Sequence, residues 1–395
     1  MKKILFVATV QSHIMNFHVP YLEYWANRGY EVHVATKMNK KEYKETELTL
    51  GYVKWHQIDF NRNPFSKYSI IALKQLKQLM KANEYELVHV HTPVGSILGR
   101  LAAKLTGTKN IVYTAHGFHF YKGAPIMNWL VYYPIEKFMA RWTDSIITIN
   151  QEDYLLAKKK FKTRKNGNVF KVDGVGIDLN KYKTTDIEDK DFKYTIGINR
   201  DDFVVSIIGE LNNNKNHMQL IKSVEKVKEK HKNLKCLIVG NGENEKTIRE
   251  YIENKSLNES ILLLGFRRDI PNILSITDVV VSMSKREGLP KNIMEAMAAG
   301  KAIIGTKIRG NKDLIKDHSN GYLVEIDDIN KTSEYIEKLM LNKSIVDEFS
   351  KQSIIDAQKY DIKTVIKYVD KEIYIKLIGE NWRKENFIDN EDCVY

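Results

Sequence analysis

Short apolar runs alternate with longer amphipathic stretches along most of the chain. The first half contains seven runs that are rich in β-branched residues: KILFVATV, YEVHVAT, YVKWHQI, ELVHVHT, NIVYTAHG, DSIITIN and NVFKV. Their apolar positions are nearly continuous, which is typical of strands that are covered on both faces in a parallel sheet. Stretches with helical spacing lie between them, for example SKYSIIALKQLKQLMKA. This order of elements predicts a doubly wound α/β domain.

The alternation is interrupted once and then starts again. Residues 174–200 are polar and charged, and we interpret them as an interdomain connection. After them come the strand-like runs FVVSIIG, LKCLIVG, SILLLGF, ITDVVVSMS, KAIIGT and GYLVEI, with helical stretches between most of them. We therefore predict two α/β domains over residues 1–180 and 181–360. Residues 361–395 are predicted to form a helix that crosses back to the first domain and ends in a polar tail.

Length and cysteine content set further bounds. A chain of 395 residues exceeds one ordinary hydrophobic core, which agrees with two domains. The two cysteines, Cys236 and Cys393, cannot form a disulfide framework, and no cysteine–histidine cluster has the spacing of a zinc site. We therefore expect a reducing compartment and no structural metal.

The N-terminal apolar run stops at Gln11 without a cleavage site, so we interpret it as a strand rather than a signal peptide. No apolar run approaches the ~20 residues that span a bilayer.

Positive charge is concentrated in the first half. Residues 1–195 contain 30 Lys and Arg against 18 Asp and Glu, a net charge of +12 that equals the net charge of the whole chain. This asymmetry favours an anionic partner, either a membrane, a nucleic acid or a phosphorylated substrate, although a lysine-rich proteome would give the same excess. The amphipathic stretch 66–85 and the run AKKKFKTRK (157–165) fit contacts with a membrane surface. Both patterns also fit a solvated helix face.

Two glutamates flank a predicted turn from strand to helix, in EGLPKNIME. Glu287 follows an apolar run, and Glu295 lies inside the next helix, whose first turn suits Pro290 and which Gly300 is placed to end. Loops at the carboxyl ends of the strands bind ligands in open α/β sheets. Both carboxylates could therefore face one ligand rich in hydroxyls, such as a sugar nucleotide. An exposed loop glutamate and a solvated helix glutamate would show the same spacing.

Loops after other strands carry candidate phosphate ligands. Gly209 ends a strand, and Lys215 stands near the start of the following helix, where free N–H groups and the helix dipole favour a diphosphate. A solvated lysine is the alternative. Gly242 follows the next strand and allows either close approach of the backbone to a ligand or a tight turn. Arg267 follows the strand after that, where it could reach a phosphate or could be a surface arginine.

Histidines recur at strand ends in the first half. His13 follows the first predicted strand, and His91 and His116 end two others. A histidine at this edge of a sheet can donate a hydrogen bond to a phosphate or a sugar hydroxyl. One such histidine is usually structural, but three at corresponding positions favour a functional role.

These motifs resemble glycosyltransferase family 4, the retaining enzymes with GT-B architecture. EGLPKNIMEAMAAGKAIIGT matches the paired-glutamate motif of that family, and LLLGFRRDIPNIL and VGNGE fit their usual places. ATVQSHIMNFHVPYL, TAHGFHFYKGAP and VDGVGIDL look typical of the bacterial branch that builds capsule, exopolysaccharide or O-antigen repeat units. The resemblance covers nearly the whole chain. It implies an α/β fold of two Rossmann-like domains facing across a cleft, with the acceptor bound by the first domain and the nucleotide sugar by the second.

The resemblance also implies roles for individual residues. Glu287 would contact hydroxyls of the donor sugar, and Lys215 would bind the diphosphate. His116 would lie near the transferred sugar and phosphate. Glu295 would hold the ribose hydroxyls. The other positions implied in nucleotide binding are Phe266 and Arg267, whose backbone would meet the base, and Gly209, Gly242 and Leu289.

One position departs from the family pattern. Glu210 stands where many relatives have arginine, and a glutamate cannot bind phosphate. Either Lys215 and the helix N-termini suffice for the diphosphate, or Arg267, Arg268 or Lys291 assists.

The activity implied by the resemblance is retaining transfer of a hexose or N-acetylhexosamine. The donor would be a UDP-sugar and the acceptor a polyprenyl-diphosphate-linked glycan, with no essential metal or other cofactor and no nucleic-acid partner. We expect a cytoplasmic protein that associates peripherally with the anionic inner face of the cell membrane through its N-terminal domain. Two alternatives remain: a sugar-nucleotide epimerase on the same fold, and a catalytically inactive module that binds membranes or nucleic acid.

Overall fold

The computed structural model describes residues 1–38, 50–61, 63, 66–164, 167–183 and 189–379, without the side chains of 189–191. Contacts divide the chain into two compact units. Unit 1 is Met1–Val175 together with the segment that begins at Thr364, and unit 2 is Gly176–Lys363. Cys393 and the predicted polar tail lie outside the described residues.

Unit 1 is built on a seven-stranded parallel sheet with the order β3-β2-β1-β4-β5-β6-β7. The strands are β1 (Lys3–Val10), β2 (Glu31–Lys37), β3 (Val53–Gln57), β4 (Tyr85–His91), β5 (Asn110–Ala115), β6 (Ser145–Thr148) and β7 (Asn168–Lys171). The helices that connect them are α1 (Gln11–Phe17), α2 (Val19–Ala26), α3 (Lys67–Ala82), α4 (Pro93–Thr106), α5 (Ile126–Ala140) and α6 (Gln151–Lys160). Residues 4–8 of β1 are fully buried, which explains their continuous apolar pattern.

Unit 2 has a six-stranded parallel sheet with the order β10-β9-β8-β11-β12-β13. Its strands are β8 (Phe203–Ile208), β9 (Leu234–Val239), β10 (Ile261–Gly265), β11 (Val279–Ser282), β12 (Ala302–Thr306) and β13 (Gly321–Val324). Its helices are α7 (Asp189–Thr195), α8 (His217–Lys228), α9 (Glu245–Asn254), α10 (Ile270–Ser275), α11 (Lys291–Ala298), α12 (Asn311–Leu314), α13 (Ile329–Leu341) and α14 (Lys343–Ala357), with a short 3₁₀ helix at Gln358–Tyr360. Two Rossmann-like units of this kind agree with the predicted fold class.

The polar stretch that we interpreted as a connection contains structure of its own. A 3₁₀ helix, Leu179–Tyr182, begins where the Asp178 side chain accepts a hydrogen bond from the backbone N–H of Asn180. Leu179 and Tyr182 are buried in a hydrophobic cluster of unit 2, together with Ile177. These three residues of the stretch therefore belong to a core, although its average composition is polar.

The chain returns to unit 1 near its C-terminal end. Helix α15 (Ile362–Val369) begins at the edge of unit 2, and a π-helical turn, Asp370–Tyr374, leads into α16 (Ile375–Ile378). Tyr374 is buried, its hydroxyl lies 2.9 Å from Nδ1 of His89, and its ring packs against Trp25. Within the described ranges, no helix combines the length and apolar character needed to cross a bilayer.

Each sheet reverses its strand order once. The reversal lies between β1 and β4 in unit 1 and between β8 and β11 in unit 2. Connections leave on opposite faces at such a point, so a crevice forms at the carboxyl ends of the two strands, where α/β proteins bind ligands. Of the predicted site residues, Lys215 and Glu287 lie in loops at the reversal point of unit 2, and His13 and His91 lie at that of unit 1.

Candidate active site

The loops that follow β8 and β11 are joined by an ion pair in unit 2. Lys215 lies before α8 and Glu287 before α11, and Lys215 Nζ is 2.7 Å from Glu287 Oε1. Backbone contacts hold the two loops together, since Lys285 N–H donates to the carbonyl oxygen of Asn214 at 2.8 Å and Asn214 Nδ2 donates to that of Arg286 at 3.0 Å. The sequence-predicted lysine and the first glutamate therefore meet at the reversal point of the sheet.

Glu295 is held separately, on α11. The hydroxyl of Tyr182 donates to its Oε1 at 2.6 Å, and Lys291 Nζ lies 3.8 Å from the same oxygen. Burial raises the pKa of Glu295, while Tyr182 and Lys291 favour its charged form and oppose the rise. Glu295 is thus a desolvated carboxyl group with a fixed orientation, which suits it to accept hydrogen bonds from a ligand. That Glu287 and Glu295 face the same ligand stays a prediction.

The backbone beside this ion pair is closely packed. A Cβ atom on Gly209 would lie 3.3 Å from Cε of Lys215, and one on Gly242 would lie 2.5 Å from the carbonyl oxygen of Leu211. Leu289 is half-buried and packs against the hydrophobic cluster that contains α11. These residues shape the strand-end loops, and Gly242 has no room for a side chain.

The segment after β10 exposes an aromatic residue and carries a paired charge. The Phe266 side chain is 66% exposed. The Arg267 guanidinium donates two hydrogen bonds to Asp269, at 2.8 and 2.6 Å, and the pair holds the pKa of Asp269 below its usual range. Glu210, where relatives have arginine, is exposed and accepts a hydrogen bond from Asn212 Nδ2 at 2.9 Å. Because the charge of Arg267 is already paired, it does not replace the missing arginine without a rearrangement.

Sequence reasoning missed three residues at this site. Tyr182 comes from the polar stretch before unit 2, and Arg309 and Gly310 follow β12. Arg309 Nε donates to the carbonyl oxygen of Glu287 at 3.2 Å, and a Cβ atom on Gly310, whose φ is +82°, would lie 2.6 Å from the carbonyl oxygen of Gly288. The signal for the last two was a polar loop, TKIRGNKDL, directly after an apolar strand.

The histidines predicted at strand ends meet in unit 1. His13, His91 and His116 lie together with His18, and ligand nitrogens of all four are within 4.8 Å of one another. Burial lowers the pKa of all four, so at neutral pH each is a neutral imidazole. His18 was not singled out because it lies at the junction of two helices, α1 and α2, rather than at a strand end.

The comparison with known families agrees with the fold and the motifs. The model described as "Glycosyl transferase 4-like" matches residues 3–150, and the model "Glycosyl transferases group 1" matches residues 188–358. The putative glycosyltransferase EpsD of Bacillus subtilis is 40% identical over 343 residues, which are 86% of this chain and 87% of EpsD. The UDP-Gal:alpha-D-GlcNAc-diphosphoundecaprenol alpha-1,3-galactosyltransferase of Escherichia coli is 32% identical over 317 residues, which are 78% of this chain and 79% of that enzyme.

Solved structures show the same fold. The crystal structure of Anabaena HepE in complex with UDP and glucose superposes with a TM-score of 0.77 at 19% identity, over 95% of this chain and all of HepE. WaaG, a glycosyltransferase involved in lipopolysaccharide biosynthesis, has a TM-score of 0.70 at 13% identity, over 93% of this chain and 99% of WaaG. Together with the paired-glutamate motif and its lysine, these similarities show that the chain is a GT-B glycosyltransferase and belongs to family 4, in the branch of capsule, exopolysaccharide and O-antigen enzymes.

Proposed function

We propose that this enzyme transfers a hexose or N-acetylhexosamine, with retention of configuration, from a UDP-sugar to a polyprenyl-diphosphate-linked glycan. The observation that carries the proposal is the Lys215–Glu287 pair at the reversal point of unit 2. A cation beside a carboxylate matches a donor whose diphosphate and sugar hydroxyls are neighbours. The 32% identical relative is named for a UDP-galactose donor and a diphosphoundecaprenol-linked acceptor, which supports both substrate classes.

The donor would be bound group by group. Lys215 would bind the diphosphate and Glu287 the sugar hydroxyls, exchanging their mutual contact for contacts with the donor. Glu295, oriented by Tyr182, would accept hydrogen bonds from the ribose hydroxyls. The backbone at residues 266–267 would meet the base. Gly209, Gly242 and Leu289 would shape the loops around the nucleotide.

In the transfer step, the bond between the anomeric carbon and the phosphate oxygen breaks, and its electron pair leaves with the diphosphate. The acceptor oxygen bonds to the same face of the sugar, and the leaving diphosphate takes the acceptor's proton. The protein then contributes mainly position and charge stabilisation. Because Lys215 can neutralise charge on the leaving group, we propose that the step requires no metal. For His116 we propose a hydrogen bond to the transferred sugar.

A transfer assay tests the proposal. The purified chain is incubated with individual UDP-sugars and a polyprenyl-diphosphate-linked N-acetylglucosamine, and the glycolipid is examined by NMR. We expect a new disaccharide lipid with the anomeric configuration of the donor. An inverted product, or a new UDP-sugar epimer formed without acceptor, would contradict the proposal.

We further propose that unit 1 contacts the anionic inner face of the membrane. Helix α5 exposes apolar side chains at every fourth residue, namely Ile126, Leu130, Pro134 and Phe138, and it continues directly into the exposed Arg141. Helix α3 exposes Ile70 and Ile71 among its lysines. Apolar side chains between cations favour the interface of an anionic bilayer, where the lipid-linked acceptor would be held.

A further inference from the structure

Four histidines from separate segments of unit 1 converge at one edge of its sheet. His13 lies in α1 and His18 directly after it, His91 is the last residue of β4, and His116 follows β5. Strands β1, β4 and β5 are neighbours in the sheet, so the topology brings these segments together at the reversal point. One nitrogen of each ring lies within 4.8 Å of the nitrogens of the other three.

Most of these rings carry a buried nitrogen that makes no hydrogen bond. Within the part of the chain that the structure describes, this holds for Nε2 of His13, His18 and His91. The fourth ring, His116, places its Nε2 3.4 Å from Nδ1 of His91. Buried polar atoms without a partner are rare in native proteins because they lose their contacts with water. Three such atoms, on rings that converge to within 4.8 Å of one another, favour a ligand at this cluster.

The spacing of the rings fits a metal ion. In a tetrahedral site with metal–nitrogen distances of about 2.0–2.1 Å, the nitrogens are about 3.3 Å apart and the ring centres about 5 Å apart. Here the ring centres are 5.2 Å apart for His13 and His18, 5.3 Å for His18 and His116, and 5.6 Å for His91 and His116. The distances that depart most are 3.9 Å for His18 and His91 and 6.1 Å for His13 and His91. Rotation of the partly exposed His13 ring would bring it closer to His91, whereas the buried rings of His18 and His91 would have to move apart. Binding of an ion therefore requires all four rings to adjust, because their nitrogens must come from within 4.8 Å to about 3.3 Å of one another.

We propose that His13, His18, His91 and His116 bind one divalent transition-metal ion of the Zn²⁺ type, and that the bound ion withdraws His116 from the donor sugar. Imidazole suits Zn²⁺, Cu²⁺, Ni²⁺ and Fe²⁺, whereas Mg²⁺ and Ca²⁺ require oxygen ligands, which this group does not contain. The rings are already neutral, since burial lowers the pKa of His13 to about 4 and the pKa values of the other three well below the usual range. Their lone pairs are therefore available at neutral pH without release of protons.

The second part of the inference rests on the proposed function. His116 cannot bind an ion and donate a hydrogen bond to the sugar through the same nitrogen. Because the transfer step is proposed to need no metal, the ion acts as an inhibitor rather than a cofactor.

Spectroscopy with Co²⁺ tests the site itself. The full chain is stripped with a chelator and titrated with Co²⁺, which absorbs strongly in the visible range when it is tetrahedral. We expect one ion per chain, displacement by Zn²⁺ and no displacement by Mg²⁺. The absence of stoichiometric binding, or displacement by Mg²⁺, would overturn the assignment.

Histidine variants identify the ligands. His13→Gln and His91→Gln are each expected to weaken Co²⁺ binding at least about tenfold, as loss of a supporting contact already does in other metal sites. His318→Gln, at an exposed histidine of unit 2, is the control and should bind like the wild type. His13 is partly exposed, so its variant is expected to fold even where removal of buried His91 prevents folding. Unchanged affinity in folded His13→Gln overturns the proposal.

The transfer assay tests the inhibition. Turnover of the chelator-stripped enzyme should fall as Zn²⁺ fills the site, with the midpoint at the dissociation constant measured by competition with Co²⁺. A stripped enzyme that is less active than the Zn²⁺-loaded one would overturn the inhibitory role. If the stripped enzyme transfers no sugar at all, the proposed function fails while the Co²⁺ result still decides the metal site.

Discussion

In the proposed reaction, Lys215 is the residue that stabilises the leaving diphosphate. Its ammonium group is positioned by Glu287, and in the proposed reaction it faces the negative charge that grows on the diphosphate. Lys215→Ala is therefore expected to lower kcat by about 10²–10³-fold, as removal of one charge-stabilising group does elsewhere. The affinity for the intact UDP-sugar should fall by a smaller factor, because its diphosphate has not yet gained the negative charge that develops in the transition state. Steady-state kinetics and calorimetric titration with UDP-glucose measure the two effects.

A lysine on the helix that follows Lys215 provides the control. Lys222 is exposed on α8, one turn and a half beyond its start, and Lys222→Ala removes the same charge without touching the strand-end loops. This variant should leave both kcat and the affinity for UDP-glucose close to the wild type. Equal losses of turnover and affinity in Lys215→Ala would assign this lysine to ground-state binding alone.

If Glu295 binds the donor as proposed, donor binding should depend on pH. Its pKa is raised by burial, so it becomes protonated at a higher pH than an exposed glutamate as the solution is acidified. A neutral carboxyl group accepts hydrogen bonds from ribose less well than a carboxylate, so donor affinity should fall on the acid side through that raised pKa. UDP-glucose is the suitable probe, since its diesterified diphosphate does not titrate there. Calorimetric titration with UDP-glucose at decreasing pH, starting near neutrality, measures this loss of affinity.

Two variants test whether the pH dependence of donor binding arises from Glu295 or from another titrating group. Glu295→Gln should bind UDP-glucose more weakly and remove this part of the pH dependence. Tyr182→Phe removes a hydrogen bond that lowers the Glu295 pKa, so the loss of donor affinity on acidification should begin at a higher pH. If this loss of affinity is unchanged in both variants, it arises from a different titrating group.

Among the elements, strand identity was predictable while element boundaries were less so. The run 276–284 was predicted as a strand, but β11 spans Val279–Ser282. Thr277 instead completes the turn after α10, because its hydroxyl donates to the carbonyl oxygen of Ile273 at 2.7 Å. Local side-chain hydrogen bonds of this kind compete with strand pairing, and a hydrophobic pattern does not register them.

The residues of the candidate site were also predictable only in part. Lys215 and Glu287 could be found because each lies in a loop that follows a strand, and Glu295 because it lies in the helix that completes the paired-glutamate motif. Tyr182 could not, since 113 positions separate it from its partner Glu295 along the chain. Likewise, the cysteine–histidine spacing excluded a zinc motif, yet it says nothing about histidines that the sheet topology brings together.

The loop after β12 provides a prediction about how an element positions a site. Gly310 has a φ of +82°, and a Cβ atom there would lie 2.6 Å from the carbonyl oxygen of Gly288, next to Glu287. Gly310→Ala must therefore move the Glu287 loop, and misplacement by about 1 Å can cost roughly 100-fold in rate. We expect kcat/KM to fall by at least about tenfold, measured beside the thermal unfolding of the variant.

The variant Gly197→Ala is the control that distinguishes displacement of the Glu287 loop from backbone strain. Gly197 has a φ of +77°, and a Cβ atom there meets nothing within 4 Å. Gly197→Ala thus introduces a left-handed alanine, which costs about 1–2 kcal/mol of stability, without pressing on a catalytic loop. Both variants should melt at a lower temperature than the wild type, but only Gly310→Ala should lose catalytic efficiency. Equal efficiency in the two would show that the 287–288 loop tolerates displacement.

At the scale of the whole molecule, the excess positive charge lies in the same half of the chain as the exposed apolar side chains of α5. These side chains, Ile126, Leu130, Pro134 and Phe138, form an apolar stripe. The chain's net +12 is contained in residues 1–195, and the most exposed apolar residues of α5 are Ile126 and Leu130, at 75% and 64%. Charge alone would attract any polyanion. The apolar stripe distinguishes a bilayer from a nucleic acid, because only the bilayer offers an apolar layer beneath its anionic surface.

This distinction gives the last prediction. Leu130→Asp places a charge in the middle of the stripe and removes an apolar contact worth about 1.5–3 kcal/mol when fully buried. Flotation with anionic vesicles should therefore fall by about tenfold or more in apparent affinity. Wild-type binding should also weaken as salt rises, since each lysine near the surface contributes about 1 kcal/mol through a screened interaction.

The control uses an apolar residue of similar exposure in the other unit. Ile355 is 64% exposed on α14, so Ile355→Asp makes a comparable change in surface polarity away from α5. If both variants float like the wild type, the stripe takes no part in binding and electrostatic attraction alone accounts for the association. If Ile355→Asp weakens binding as much as Leu130→Asp, the contact is not confined to α5. Loss in Leu130→Asp alone, with unchanged thermal unfolding, assigns the membrane surface to this helix, because the two variants carry the same added charge and differ only in where it lies.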